Sequence, residues 1–409
     1  MLKRVVIVAL MSVYLYTLVF DIYLNNFFRL PAIVVGIILT FVFMKKKMTL
    51  LFGWELLFLL LGNLFYYLIG QADLKTFFIN FSIIVTCGLY FNYFIGQSYN
   101  RFKASVVIFV LLLSFSVLVM FADRSYPDSG DVYRATLIGG DIIQTPSGIC
   151  ASIFTFGYQI TAVTTLVFLY FLLAKKHFFL VLAVFLLCMM SIFLGMQRSA
   201  FAAFSFAGII CVISYYKAKA IPIITCAVVI GGLFFVFGAQ KDDDSQGNIL
   251  TKNTQNEENG ENRSGLMIED LKIYSNYPLG LVFYNLQWSN VSKTDPAFSG
   301  GLTSHNAYLM FFTYLGPFLG VILLLGIYRN VYIAFKQALS GIHDRRNALF
   351  VALSFALFAV SVNSLFHNAW LLNADGPTVF LYFSVLHFSK TYYKATQSDG
   401  VLGVEVMAA

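Results

Sequence analysis

The sequence predicts an all-α polytopic membrane protein with about twelve transmembrane helices. Hydrophobic residues make up 59% of its 409 residues and charged residues only 11%, and the mean hydropathy is +0.77. Soluble domains contain about 25% charged residues, so a soluble globule of this composition would precipitate. Twelve apolar stretches have about the 17–25 residues that are needed to cross the hydrocarbon of a bilayer.

These predicted spans follow one another closely along the chain. They are residues 5–24, 28–44, 49–70, 76–95, 104–121, 149–173, 178–196, 199–216, 220–238, 304–326, 347–366 and 372–389. Only a turn around Gln197 and Arg198 separates the seventh span from the eighth. The first apolar run has no A-x-A-like cleavage site after it, so we expect an uncleaved span and not a signal peptide.

The basic residues indicate the orientation of these spans. Most of them lie in short loops on the side that carries both termini, for example Lys45, Lys46, Lys47, Arg345 and Arg346. Because lysine and arginine favour cytoplasmic loops, both termini are predicted to be cytoplasmic. The net charge of +7 therefore reflects membrane topology and does not indicate nucleic-acid binding.

Two loops on the opposite side are much longer than the others. The chain is thereby divided into four regions. Residues 1–238 contain nine spans and the outer loop 122–148, and residues 239–303 form the large outer loop. Residues 304–394 contain three further spans, and residues 395–409 form a tail. Long ordered loops usually carry function. The run Asp242-Asp243-Asp244 lies on a polar, Asn-rich segment of the larger loop, so we interpret it as solvated and not as a metal site.

A short amphipathic helix is predicted in the larger loop, near residues 264–275. Four apolar side chains of RSGLMIEDLKIYSNYPLG recur on one face at helical spacing: Leu266, Met267, Leu271 and Tyr274. Pro278 ends the helix and Gly280 permits a tight turn. Arg263 would stand beside the helix N-terminus, where unpaired N–H groups favour an anion.

Further polar groups lie where spans meet the outer surface. Arg198 either reaches the interface as an anchor or lines a polar cavity, because burying it in lipid is costly. His305 and Asn306 stand where the chain re-enters the membrane, and His367 stands at the outer end of span eleven. Taken singly, Arg263 is an ordinary surface arginine and His305 an interfacial histidine with local hydrogen bonds. Together, two guanidiniums suit a diphosphate, and a neutral histidine suits proton abstraction from a hydroxyl.

One carboxylate is predicted inside a span. Glu55 lies in the third span, where an ionisable residue either has a function or hydrogen-bonds to a neighbouring span. Both interpretations remain open from the sequence. The five cysteines form no C-x-x-C pair, and we expect them to be small apolar fillers.

Three segments resemble the superfamily of O-antigen ligases and O-antigen polymerases: MQRSAFAAF, RSGLMIEDLKIYSNYPLG and SHNAYLMFFTYLGPFLG. Members of this superfamily are polytopic inner-membrane glycosyltransferases with a large periplasmic loop before the last spans. Their pattern is an arginine that opens a loop helix, a Pro-Leu-Gly-type turn, and His-Asn with a glycine ten residues later, here Gly316. The resemblance covers about residues 190–330. Met267 departs from it, since the family often has leucine or an aromatic residue there.

The resemblance implies a GT-C-like glycosyltransferase of the bacterial inner membrane whose site faces the periplasm. Arg198 and Arg263 would hold the diphosphate of an undecaprenyl-diphosphate-linked glycan, and His305 would be the general base on an acceptor sugar hydroxyl. Transfer would invert the anomeric carbon without a metal ion or other cofactor. Four more residues are candidates for substrate binding: Asn306, Arg124, Arg134 and His367.

The acceptor distinguishes the two activities of this superfamily. A polymerase uses another lipid-linked repeat unit, whereas a ligase uses lipid A-core. The acidic, Asn-rich loop and the Phe/Tyr-rich chain favour a polymerase that is fitted to one repeat unit and works with a chain-length regulator. A lipid-linked oligosaccharide transporter is the third alternative. Against it, the chain shows no matching halves with broken spans, and its polar candidates lie at the outer boundary and not at the midplane.

Overall fold

The protein is mostly helical in the residues that its computed structural model describes. These residues are 2–20, 32–44, 49–138, 147–150, 153–239, 249, 263–293, 298, 304–368 and 370–393, and none of them forms a strand. The α-helices among them are α1 Leu2–Val19, α2 Ala32–Val42, α3 Gly53–Leu68, α4 Leu74–Leu89, α5 Tyr99–Ser125, α6 Pro127–Ile138, α7 Ile153–Leu173, α8 Phe178–Leu194, α9 Arg198–Tyr216, α10 Ala220–Ala239, α11 Arg263–Asn276, α12 Trp288–Ser292, α13 Ala307–Ser340, α14 Ala348–Asn363 and α15 Gly376–His387. The acidic run Asp242-Asp243-Asp244 lies outside the described residues.

Six helical stretches of the described chain are long and apolar enough to cross a membrane. They are Leu74–Ile95, Tyr99–Ser125, Phe154–Leu173, Arg198–Leu233, Ala307–Ser340 and Arg345–Asn363. Three shorter apolar helices coincide with other predicted spans: Ile33–Val42, Gly53–Leu68 and Phe178–Leu194. The described part of the chain is therefore that of an all-α membrane protein, and twelve crossings stay a prediction.

Much of the predicted outer loop 122–148 is helical in the structure. α5 continues to Ser125, and α6 follows immediately and occupies Pro127–Ile138. Pro127 stands at the first position of α6, where a proline removes no needed hydrogen bond and its fixed φ angle suits the helix. This part of the predicted loop 122–148 therefore forms a packed element and not an irregular connection.

The chain divides into two compact units. The first comprises Met1–Phe109, Asn262–Ala334 and Ser364–Ala409. Within it, α15 is buried at every residue. Two glycines allow close contacts around α15. Gly376, on α15, lies against the backbone of Leu18, and a Cβ on Gly88 would stand 3.2 Å from the Phe383 ring. α15 is thus the centre of this unit, which explains why its sequence is apolar on all sides.

The second unit comprises Val110–Glu261 and Phe335–Asn363. Its central helix is α14, most of whose side chains are buried. α14 packs against α7 and α9, and α8 packs against both of these helices. Small residues on the buried side of α9, among them Ala200, Ala203 and Ala207, allow this close packing.

α13 is interrupted by a kink at Gly316. The predicted span 304–326 is longer in the structure and reaches Ser340, but Gly316 has φ 70° and ψ −179°, which no helix tolerates. Pro317 then begins the second part of α13. A proline fits that first helical position because its missing N–H has no partner there.

Candidate functional site

His305 has an unusual backbone conformation. Its φ angle is 53°, in the left-handed region that most side chains avoid, and its side chain is half-buried. Histidine is among the residues that enter this region more readily than most. Such a conformation persists where the surrounding structure holds it, and it occurs often at functional sites.

Asn306 caps the helix that follows His305. Its side-chain Oδ1 accepts hydrogen bonds from the backbone N–H groups of Tyr308, at 3.1 Å, and Leu309, at 3.0 Å. Asparagine is one of the preferred N-cap residues because it satisfies these otherwise unpaired donors. The carboxamide oxygen is therefore engaged in holding the start of α13, and a substrate contact by Asn306 stays a prediction.

The start of α13 is tied to the segment that contains His367. The backbone N–H of Ala307 donates to the carbonyl oxygens of Ser364, at 3.0 Å, and His367, at 2.9 Å. The His367 side chain is 5% exposed. Two His-Asn pairs that are 62 positions apart in the sequence, 305–306 and 367–368, are thus brought together within the first unit.

Aromatic rings fix the first turns of α13. Trp370 is buried, and its indole Nε1 donates to the Tyr66 hydroxyl of α3 at 3.3 Å. The rings of Tyr308 and Phe311 each approach Trp370 edge-on at a centroid distance of 5.3 Å. Edge-to-face pairs of this kind are favourable beyond their buried area. They hold α13 in place next to His305.

Asp270 on α11 is a buried carboxyl group that sequence analysis missed. Its Oδ1 accepts a hydrogen bond from the Thr313 hydroxyl of α13 at 2.7 Å, and the residue is 0% exposed. Burial raises the pKa of Asp270, against the opposing influence of the Thr313 and Ser304 hydroxyls. Through Thr313, Asp270 connects α11 to α13, the helix that follows the candidate base.

α11 itself begins at Arg263, two turns before Asp270. The Arg263 side chain lies outside the described part of the structure. The side of α11 that packs against the protein is not the apolar face that the sequence predicts, because Asp270 and Ile273 are buried whereas Met267 and Leu271 are exposed. A pattern of apolar residues does not predict this packing side, because Asp270 is polar and turns inward to a hydroxyl partner.

The turn after α11 packs directly on the kink of α13. Gly280 has φ 93°, and a Cβ at this position would overlap the backbone of Leu315 and Gly316. A Cβ on Gly316 would overlap the Leu279 carbonyl. Glycine is required at both positions by conformation and by space. The Pro-Leu-Gly turn and the glycine ten residues after Asn306 are thus two sides of one contact.

In the second unit, Arg198 and the contact of Arg124 lie where the chain passes from α8 to α9. Arg198 is the first residue of α9, is half-buried, and follows Gln197, which makes no side-chain cap. The Arg124 guanidinium donates to the Leu194 carbonyl at the C-terminus of α8 at 3.0 Å. Arginine at a helix C-terminus is favourable because the last carbonyls lack partners.

Arg134 is enclosed by the protein. It is 0% exposed, and its guanidinium contacts Asp123 at 2.7 Å, Asp131 at 3.1 Å, the Gly148 carbonyl at 3.1 Å and the Ser147 hydroxyl. An arginine whose donors are engaged in this way holds α5, α6 and the segment before α7 together. The structure thus gives Arg134 an architectural role, and its binding of substrate stays a prediction.

Glu55 takes the second of its two predicted roles. Its Oε1 accepts from the Asn330 amide at 2.7 Å and from Lys390 at 2.5 Å, and the side chain is fully buried. The lysine also donates to the Leu51 carbonyl at 2.7 Å. This carboxylate therefore links α3 to α13 and to the helical turn Phe388–Tyr393, which follows α15.

The structure places the seven predicted site residues in two groups. The first unit contains Arg263, His305, Asn306 and His367, and the second unit contains Arg124, Arg134 and Arg198. Tyr66, Asp270, Thr313 and Trp370 join the first group, and no local pattern marked them, because their partners are distant in sequence. No protein-family model matches the chain, and a comparison with curated proteins likewise finds no match.

Proposed function

We propose that the protein is a membrane glycosyltransferase that polymerises lipid-linked oligosaccharide repeat units, as an O-antigen polymerase does. The observation that carries the proposal is the mutual packing of three separate sequence segments: the helix that Arg263 begins, the Pro-Leu-Gly turn, and the segment from His305 to Gly316. They meet through the Asp270–Thr313 hydrogen bond and the Gly280–Gly316 contact. The segments whose sequence pattern suggested the function thus also pack against one another.

The chemistry assigned to this group is inverting glycosyl transfer. The acceptor hydroxyl oxygen attacks the anomeric carbon, His305 takes the hydroxyl proton, and the bond from that carbon to the diphosphate breaks. The bonding electrons leave with undecaprenyl diphosphate. Arg198 and Arg263 bind the diphosphate and stabilise its charge in place of a metal ion, because guanidiniums offer bidentate donors to phosphate oxygens.

The proposal includes a topology. Twelve spans place both termini in the cytoplasm of a bacterium and the loops 122–148 and 239–303 in the periplasm, in a GT-C-like arrangement. The site lies at the outer boundary of the inner membrane because the prenyl chain of the donor stays in lipid while the sugars stay in water. A chain-length regulator is the expected protein partner.

Reconstitution tests this function directly. The purified protein is placed in liposomes with a defined undecaprenyl-diphosphate-linked repeat unit, with and without lipid A-core, and the products are sized. A ladder of lipid-linked products without lipid A-core supports a polymerase. Transfer only to lipid A-core identifies a ligase, and movement of intact lipid-linked sugar across the bilayer without any new linkage identifies a transporter. Either of these outcomes overturns the proposal.

A further inference from the structure

Six apolar side chains are exposed on α11 and on residues 279–284, which follow it. We term them the apolar patch: Met267, Ile268, Leu271, Leu279, Phe283 and Tyr284. Ile268 is 53% exposed and Phe283 61%. Apolar groups that gather on one surface mark an interaction site, in contrast to single exposed residues.

The inner side of the same segment is fixed to the protein. Asp270 and Ile273 of α11 are buried, as are Gly280 and Leu281 of the turn. The Thr313–Asp270 hydrogen bond and the backbone contact of Gly280 with Gly316 attach this side to α13. The apolar patch therefore cannot turn inward without breaking these contacts, and its exposure is built into the fold.

The segment that carries the patch contacts a candidate membrane span, α13. Leu279 and Gly280 touch α13 at Leu315 and Gly316, and Phe318, two residues further on, is 70% exposed. Three more exposed apolar side chains follow on the same helix: Val321, Ile322 and Leu325. A helix of this length and hydropathy presents such side chains to lipid.

We propose that α11 and residues 279–284 lie in the membrane interface, with the apolar patch in contact with lipid acyl chains. The partner of this surface is the bilayer itself, because the Gly280–Gly316 contact holds the segment that carries the patch against the helix whose exposed apolar side chains would face lipid. Interfacial helices bind in this way, with their apolar side in the acyl region and their polar side in water. On α11, Glu269 belongs to the polar side and pairs with Lys272, 63% exposed, at the edge of the apolar patch.

This placement does not depend on the proposed reaction. In this placement α11 lies on the membrane without crossing it. The helix then fixes the depth at which the backbone around Asp270 stands relative to the bilayer. For any substrate with a lipid tail, the tail would then lie in the same leaflet of the bilayer as the segment from His305 to Gly316.

Spin labelling in liposomes tests the proposal. The full chain with Cys226, the exposed native cysteine among the described residues, changed to serine is the background for Ile268→Cys and Phe283→Cys. Lys272→Cys on the same helix is the water control, and Phe318→Cys is the lipid control. Each nitroxide is measured for collision with oxygen, which concentrates in lipid, and with a water-soluble nickel complex.

We expect the oxygen-to-nickel accessibility ratio at positions 268 and 283 to approach that of position 318 and to exceed that of position 272 severalfold. Ratios equal to that of position 272 would place the patch in water and overturn the proposal. Low accessibility to both reagents would show that protein covers the patch, for example a second copy, and would overturn it as well. If either variant is not monodisperse, Leu271→Cys and Leu279→Cys probe the same surface.

Discussion

Gly280 and Gly316 lie backbone to backbone. A Cβ on Gly280 would stand 2.9 Å from Cα of Gly316, and a Cβ on Gly316 would stand 2.9 Å from the amide nitrogen of Gly280, with still closer overlaps beside these. Both residues also have φ angles that favour glycine, 93° and 70°. The contact fixes the loop that contains α11 against the kink of α13.

We therefore expect Gly316→Ala and Gly280→Ala to destabilise the protein. Each substitution adds backbone strain and overlap, which together cost about 1–3 kcal/mol or more. Thermal unfolding in detergent measures the effect. Gly208→Ala on α9 is the matched control, because nothing lies within 4 Å of its added Cβ; there we expect no loss. Wild-type stability of Gly316→Ala would show that the contact does not hold this region.

His305→Asn is expected to abolish transfer while the protein folds normally. Asparagine accepts the left-handed backbone of this position but does not take up a proton near neutral pH. Loss of a general base lowers kcat by about 10²–10⁴-fold. The measurement is turnover of lipid-linked repeat units, alongside the unfolding temperature. His305→Ala separates the two effects, since alanine loses the base and also strains the backbone. A His305→Asn variant with wild-type turnover would exclude His305 as the base.

Asn306 variants distinguish a helix cap from a substrate contact. Asn306→Ala should lower stability by about 1 kcal/mol, because two backbone donors lose their acceptor. Asn306→Ser and Asn306→Asp keep a cap and should keep stability. Comparing the unfolding temperature with the KM for donor and acceptor in all three variants assigns the role. A capped, stable Asn306→Ser variant with a much higher KM would mean that the carboxamide also binds substrate.

Arg134 and Arg198 are expected to respond differently to the same substitution. Arg134→Gln leaves Asp123 buried without its cation, and breaking a buried pair costs about 3–5 kcal/mol. Arg198→Gln should keep the unfolding temperature and raise the KM for the lipid diphosphate donor. Arg198→Lys should recover only part of this binding, because an ammonium lacks the bidentate fork of a guanidinium.

The opposite pattern would reverse these assignments. If Arg134→Gln is stable but binds donor poorly, Arg134 belongs to the substrate site. If Arg198→Lys binds donor as the wild type does, the guanidinium does not clamp a diphosphate.

Asp270 should make stability depend on pH in an unusual direction. Its pKa in the folded protein is raised above the ordinary value of 3.8. The folded state therefore holds this proton at pH values where the unfolded state has lost it, so stability from Asp270 is fully present below about pH 3.8 and is lost as pH rises through the folded pKa. Asp270→Asn keeps an acceptor for Thr313 and cannot ionise. The slope of unfolding temperature against pH above pH 4 should therefore be flatter in the variant. Identical slopes would mean that Asp270 does not carry this ionisation.

The sequence by itself determined the class of protein and the existence of its main helices. Composition and apolar runs are enough for this, because the length that crosses a bilayer and the cost of exposing backbone in lipid leave helices as the solution. The helix that begins at Arg263 was also visible, since helical spacing and a following proline are local signals. The sequence did not predict which side of this helix packs against the protein, because the inward position of Asp270 depends on Thr313, 43 residues away.

Only the tertiary structure decided what the candidate residues touch. The sequence marks Gly280 by a turn and Gly316 by the family pattern, but only their contact explains why neither position admits a side chain. Asn306 reads as a site residue, yet its oxygen is held by α13. Arg134 reads as a loop cation, yet it is enclosed by Asp123 and its neighbours. The physical reason is the same in each case: local sequence sets which helices form, but the space and the polar partners around a side chain come from segments far away in the chain.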